Sequence, residues 1–315
     1  MRHIGFSIDH GGLHYSEILS LAKHAEELGY DSISFYDHLY SLSGDDEICL
    51  ETWSMFPAIS LNTRKIKLVP LVTNNLFRHP GVLAKMAATV DNLSKGRLIF
   101  GIGAGWYEKE ARDFGYDFPD LKTRIEMLDE CIQMATKLWT EDKSTFQGKH
   151  YKLENAESLP KPFQKPHPLI LVGGKSKGIL KIVARYADMS NFTLRELGIE
   201  GCKKKLEQLK EYCSNIGRDY GSISKTISGP CIFARSAVEL ETELEDCARE
   251  RETTKEDLKQ FYFRSGLFGA IDQITDQLKE YEKIGIDGAF LRFNKSKQDE
   301  KSKLFAETVF PQIRN

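Results

Sequence analysis

The feature that most limits what this chain can fold into is a unit used near both of its ends: a helical face, a glycine, an apolar residue, an aspartate and a strand. In the first copy Ile18, Leu21, Ala22, Ala25 and Leu28 recur at steps of three and four, and Gly29 stops the helix. Residues 31–38, Asp-Ser-Ile-Ser-Phe-Tyr-Asp-His, then read as a short strand ending in two residues capable of chemistry. In the second copy Ile274, Leu278, Tyr281 and Ile284 make the face, Gly285 stops it, and residues 286–291 make the strand. Repetition of one αβ unit points to parallel strands covered by helices. If the units close into a barrel, all strand C-termini meet at one mouth and Asp37 and His38 stand on its rim. The competing reading is that Asp37 caps the next segment and His38 is an ordinary loop residue.

Strand patterns at 4–8, 32–36, 67–73, 98–101, 169–172, 189–192, 223–234 and 289–293 alternate with helical ones, with no Pro- or Ser-rich linker between them. The sequence therefore predicts one domain over residues 1–315, a (β/α)8 TIM barrel with insertions, and the length suits that fold. A final helix is expected over 301–313. Residues 144–151 read as a surface hairpin, followed by Pro160, Pro162, Pro166 and Pro168. Residues 250–269, charged and then aromatic, cover the mouth, form a contact in a homodimer, or are a solvated helix with its apolar stripe on the barrel. Lys and Arg total 44 against 46 Asp and Glu, so no global basic field argues for nucleic acid. No apolar run reaches the ~20 residues of a membrane helix, and residues 1–8 enter a strand pattern directly without the features of a signal peptide. The six cysteines form no C-x-x-C pair, which favours free thiols in a reducing cytoplasm and leaves no metal pattern.

Three turns that follow strands stand out, two of them rich in glycine. The third strand leads into Asn74, Asn75, Arg78, His79 and Pro80, the fourth into Gly101-Ile102-Gly103-Ala104-Gly105-Trp106, and the fifth into Gly173-Gly174-Lys175-Ser176. A Gly-rich turn entering a helix offers unpaired N–H groups to a phosphate, and Gly173, Gly174 and Lys175 fit that pattern. Each cluster alone is equally readable as a tight turn. The G-x-G-x-G run lacks the spacing and the acidic residue of a dinucleotide fingerprint.

Taken together, Tyr36-Asp37-His38, Val72-Thr73-Asn74 with Arg78-His79-Pro80, Gly101 to Trp106 with Glu110, Arg124 on a helix ending Leu138-Trp139-Thr140, and Gly173-Gly174 with Ala184-Arg185-Tyr186-Ala187-Asp188 resemble the luciferase-like monooxygenase superfamily. The branch resembled most uses the deazaflavin coenzyme F420. The resemblance implies a TIM barrel with the cofactor at the C-terminal mouth. It places Asp37 and His38 beside the deazaflavin ring, where many FMN-using relatives look more like Glu-His-His. It places a non-prolyl cis peptide at Leu71 and Val72 behind the ring, with Thr73, Gly103, Gly105 and Trp106 around it, and the cofactor phosphate at Gly173, Gly174 and Lys175. Arg185 and Asp188 are expected to be structural, as are Arg78 and His79. One departure matters: some relatives carry a proton-transferring glutamate near the position of Trp106, and an indole cannot do that work. His38 is then the candidate acid or base, and Trp106 a wall of the substrate pocket.

The expected activity is hydride transfer between F420 and a small organic substrate. The alternatives are an FMN-dependent monooxygenase and a catalytically silent flavin- or deazaflavin-binding barrel.

Overall fold

A computed structural model describes residues 1–42, 48–195 and 197–314. The strands are β1 (His3–Ser7), β2 (Ser32–Phe35), β3 (Lys67–Pro70), β4 (Thr73–Asn74), β5 (Ile99–Gly103), β6 (Ser144–Gln147), β7 (Lys152–Ala156), β8 (Leu169–Gly173), β9 (Met189–Thr193), β10 (Ser224–Ala234), β11 (Leu267–Ala270) and β12 (Gly288–Arg292). The helices are α1 (Tyr15–Glu27), α2 (Thr52–Asn62), α3 (Pro80–Leu93), α4 (Glu108–Asp113), α5 (Leu121–Thr140), α6 (Lys177–Tyr186), α7 (Gly198–Asn215), α8 (Ala237–Glu250), α9 (Lys255–Ser265), α10 (Ile271–Lys283), α11 (Gln298–Thr308) and α12 (Phe310–Ile313).

Nine strands run in the order β3-β2-β1-β12-β10-β9-β8-β5-β4, every pair parallel. A parallel bridge between Leu68 and Leu98 closes the circle. The expected third strand over 67–73 is in fact two pieces, β3 and β4, interrupted at Leu71–Val72, whose peptide is cis. Counting those pieces as one stave gives the eight staves of a TIM barrel, as the alternation predicts.

Side-chain alternation builds two cores. On β8, Ile170 and Val172 join the large cluster between staves and helices, which also takes Ile4, Phe6, Ile33, Phe35 and Phe100. Leu171 points the other way, into a small interior plug with Val69, Ile99, Met189 and Phe290, against which Leu71 and Val72 pack. The plug is apolar and the mouth above it more polar, because six of the eight staves end in a polar residue or a glycine: Ser7, Asn74, Gly103, Gly173, Thr193 and Arg292. In the outer layer Phe100 is flanked by Trp53 and Trp139, with ring centroids 6.1 and 5.1 Å away. Both indoles are anchored, Trp53 Nε1 donating to Thr73 Oγ1 (3.2 Å) and Trp139 Nε1 to the Ala84 carbonyl (2.9 Å).

Three other expectations change. Residues 250–269 hold α9 and an unanticipated strand, β11, which pairs with the outer half of β10 beyond the barrel. The last helix is split at Val309 into α11 and α12, with Pro311 in the first turn of α12. The short α4 went unanticipated. The hairpin is present as antiparallel β6 and β7, and none of the six cysteines is in a disulfide. No helix among the described residues is long and apolar enough to cross a membrane.

Two buried histidines make the fold sensitive to acid. His3, whose Nε2 meets Ser32 Oγ at 2.9 Å, and His10 on the loop after β1 are both pushed down by burial to a pKa of about 4. The unfolded chain titrates near 6.5, so the folded state favours the neutral rings. Their contribution is complete above that value and is lost as pH falls toward about 4, up to roughly 3 kcal/mol for each ring. Urea unfolding between pH 7.5 and 4.5 should show this loss, and His3→Gln and His10→Gln should each flatten it. An identical slope in both variants would count against it.

Candidate active site

His38 follows β2 and is held by a residue from another stave. Its Nδ1 lies 2.8 Å from Oε2 of Glu110 on α4, while Glu110 Oε1 accepts the backbone N–H groups of Leu39 (2.5 Å) and Tyr40 (3.0 Å). Glu110 is 0% exposed. An ionised carboxylate only accepts, so this contact puts the Nδ1 proton on the bond and leaves Nε2 as the working nitrogen. The arrangement is a His–carboxylate dyad, in which the carboxylate sets the tautomer and the ring's orientation. The Trp106 indole stands edge-on to the His38 ring at 5.5 Å and stacks on Tyr107 at 5.2 Å, yet it is 59% exposed. Trp106 therefore roofs His38 at the surface.

Asp37 has a different role from the one its neighbour suggests. It is 2% exposed, and both carboxylate oxygens are taken: Oδ2 by Arg78 Nη1 (2.7 Å) and the Asn74 N–H (2.9 Å), Oδ1 by Arg78 Nη2 (2.9 Å). Burial pushes its carboxyl above the usual range, against the pull of Arg78 and the Asn74 N–H. With no lone oxygen facing the mouth, Asp37 is a positioning residue that ties the end of β2 to the turn after β4. Arg78 also reaches Glu51 Oε1 at 2.5 Å, and Glu51 caps α2. His79 caps α3, its Nδ1 accepting the Gly81 N–H at 3.1 Å. Both residues are structural, as expected.

The glycines in and after β5 and at the end of β8 are explained first by packing. A Cβ on Gly103 would lie 2.7 Å from Val72 Cγ2, one on Gly173 2.9 Å from Val72 Cγ1, and one on Gly101 2.0 Å from the Pro70 carbonyl oxygen. Val72 thus fills the space of two missing side chains, and the Pro70 carbonyl that of a third. Gly105, at φ +76, has Asn74 Oδ1 where its Cβ would be. Thr73 is fully buried on the helix side, bonded to Trp53, and does not face the mouth. Leu71 and Val72 pack on the interior plug.

The turn after β8 leads into the N-terminus of α6. Ser176 caps α6 by accepting the Ile179 N–H (3.3 Å), which leaves the N–H groups of Lys177 and Gly178 without a partner among the described residues. Gly174 sits at φ +134 and donates to the Asn191 carbonyl at 3.1 Å, while Lys175 Nζ donates to the Arg195 carbonyl at 2.9 Å. Arg124, named in the sequence pattern but not among the expected ligands, stands on α5 beside Ile125, which packs on Gly178 (an added Cβ there would be 2.9 Å from Ile125 Cδ1), while its own guanidinium lies over the Phe118 ring. Its Nη1 donates to the Pro119 carbonyl (2.6 Å), and its buried Nε has no partner. Asn75, 1% exposed beside Gly103, has neither amide atom bonded. Arg185 pairs with Asp129 (3.0 Å), and Asp188 accepts the Ile170 N–H (2.8 Å). A cavity of about 730 Å³ opens beside Arg78, lined by Phe77, Tyr116, Phe118 and Tyr151 among others. Residues 43–47 of the loop expected to shape the pocket lie outside the described residues.

The sequence model of the luciferase-like monooxygenase family matches residues 2–288. The chain belongs to that family. Among curated relatives of this luciferase-like chain, an F420-dependent glucose-6-phosphate dehydrogenase from Amycolatopsis mediterranei is 31% identical over 172 residues, 54% of this chain and 50% of the relative. The chain thus spans about half the length of that relative. An FMNH(2)-dependent dimethylsulfone monooxygenase from Pseudomonas putida is 24% identical over 93% of this chain and 86% of its own length. In fold, an F420-dependent secondary alcohol dehydrogenase solved with an F420-acetone adduct superposes with a TM-score of 0.85 at 18% identity, covering 100% and 99% of the two chains.

The Asp37–Arg78 pair should be indispensable to this luciferase-like barrel. Arg78→Ala leaves a carboxylate buried without its counter-ion, and urea unfolding should show a loss of about 3–5 kcal/mol. A loss below about 1 kcal/mol would mean that Asn74 alone holds Asp37.

Proposed function

We propose that the protein is a cytoplasmic oxidoreductase that moves a hydride between coenzyme F420 and a small organic substrate. The observation that carries this reading is the His38–Glu110 dyad on the rim of a family barrel. An alcohol–carbonyl interconversion needs one proton moved as the hydride moves, and the dyad offers Nε2 for that purpose. Bound F420 would accept or return the hydride at C5 of its ring. His38 Nε2 takes the hydroxyl proton as the substrate's carbonyl forms and returns it in the reverse direction. Glu110 stabilises the imidazolium that results, and Trp106 and Tyr107 keep the ring in place. The glutamate that some relatives carry near this position is not required, because His38 takes the proton and Glu110, four residues beyond Trp106, stabilises the charge.

The chain's residues suit the cofactor. The free N–H groups at the start of α6 and Lys175 would hold a phosphate. Asn75, with an amide donor and acceptor both unbonded, complements a ring edge bearing N–H and C=O groups once the rim side chains above it move aside. Flavin and deazaflavin share those groups, so neither feature distinguishes them. Identity is higher with the F420-dependent relative, 31% against 24%. A second reading, an FMN-dependent monooxygenase, is supported by the greater length matched to the dimethylsulfone enzyme.

Absorbance titration with F420 and with FMN should give the tighter Kd for F420, and reduced FMN should elicit no oxygen uptake. With a verified substrate, His38→Ala should lower kcat about a hundredfold or more while F420 affinity changes little. Glu110→Gln, which can present an N–H to Nδ1 and favour the other tautomer, should lower kcat by a comparable factor at unchanged Kd. Near wild-type kcat in both variants would refute the dyad, and tighter FMN binding with oxygen uptake would replace the activity.

A further inference from the structure

We propose that Arg292 docks an oxyanion of the substrate, which makes the substrate a small hydroxy or oxo compound carrying a carboxylate or a phosphate. The inference rests on the hydride-transfer reading for the reacting end of the molecule and on the following geometry for the other end. On β12, Ala289 and Leu291 join the outer core and Phe290 the interior plug, so alternation turns Arg292 to the same side as Phe290. Arg292 is the last residue of β12 and so stands at the C-terminal rim, half-buried, with Pro230 of β10 as its register partner.

Its guanidinium is the exception among comparable groups. Four other arginines of the described residues are not exposed: Arg78, Arg97, Arg124 and Arg218. Each donates to acceptors of the protein itself: Arg78 to Asp37, Arg97 to the Ile66 carbonyl, Arg124 to the Pro119 carbonyl and Arg218 to the Ala187 carbonyl. The Arg292 guanidinium, whose charge is felt by Tyr262 of α9, takes part in none of the side-chain hydrogen bonds or ion pairs of the described residues, and Arg292 is not among those with a partner beyond them. A half-buried guanidinium gives up part of its hydration, and a fold ordinarily returns that loss with a carboxylate or carbonyl. Here the five N–H donors are left for something that enters the mouth. Their planar fork matches a carboxylate or phosphate bidentately.

The spacing suits one small molecule. β12 and β2 both flank β1, with Gly5 paired to Phe290 and to Ser32. Two strand spacings place Arg292 roughly 10 Å along the rim from the end of β2, where His38 begins. A molecule of a few carbons therefore reaches from the proton-accepting Nε2 to the guanidinium. The Ser7 side chain lies between them on β1, half-buried. The cofactor phosphate is assigned to the far side of the mouth, at α6, so the two anion sites do not compete.

The test is titration calorimetry with glycolate, inorganic phosphate and the uncharged ethylene glycol, on wild type, Arg292→Gln and Arg292→Lys of equal thermal stability. At least one anion should bind wild type, with Kd raised about tenfold or more in Arg292→Gln and less in Arg292→Lys, which keeps the charge but not the fork. Ethylene glycol should not respond to the substitution. Phosphate binding that persists in Arg292→Gln reports the α6 turn, and the component that disappears reports Arg292. Whether glycolate or phosphate loses more names the class of anion. The proposal is overturned if neither anion binds wild type, or if both bind Arg292→Gln equally well. Calorimetry needs no turnover, so failure of the F420 reading leaves this result standing. F420 reduction with anion binding independent of Arg292 removes the proposal alone.

Discussion

Closure of the barrel between its third and fourth staves depends on one close approach, Val72 lying across Gly101, Gly103 and Gly173. Any side chain at those three positions would meet Val72 or the Pro70 carbonyl at less than 3 Å. Interiors are packed too tightly to absorb that. The third stave therefore changes course at Leu71–Val72 and still keeps register with β5 through Thr73 and Asn74. Much of the site follows from this contact. Asn74 donates its N–H to Asp37, Asp37 holds Arg78, and Arg78 reaches the cap of α2. The floor of the mouth on this side is nearly free of side chains, which is where a flat ring could lie.

Two buried carboxylates at the rim do different work because their partners differ. Asp37 is neutralised by a permanent cation, so its charge is committed to holding two loops together. Glu110 faces a group that can be neutral or charged, so its charge is available to stabilise a proton on His38. Sequence proximity paired Asp37 with His38, whereas in the fold the carboxylate that meets the His38 ring is Glu110.

Much of the architecture was legible because αβ repetition sets a period that survives local irregularity: the glycine-stopped helices before β2 and β12 stand as read. Features that depend on contacts between staves were not legible. Leu68 through Val72 is one apolar run in which Pro70 alone hints at irregularity, and only family resemblance placed a cis peptide there. Glycine carries no sign of what occupies its missing side-chain volume, so Gly103 and Gly173 read equally as ligand cradle or as room for Val72. The six-residue α4 is too short to show periodicity, and Glu110 therefore entered only as a member of a pattern. β11 hid in an aromatic stretch whose neighbour, the far half of β10, lies more than thirty residues earlier. Arg292 looked like the end of an ordinary strand until alternation and the bonds of the other arginines set it apart.

The pairing of β1 with β12 has a consequence for how the molecule comes into being. His3 bonds in register with Gly288, residues separated by nearly the whole described chain. The first strand emerges from the ribosome long before its eventual neighbour, and until then one edge of it has no partner strand on that side. Loop-closure entropy for so distant a contact must be met before the contact is formed, which makes ring closure a late event. In the interval β1 and β2 expose backbone that a second nascent chain can recognise. The aggregation hazard of this protein therefore lies in its synthesis, at its earliest strand, far from the residues that give it its chemistry.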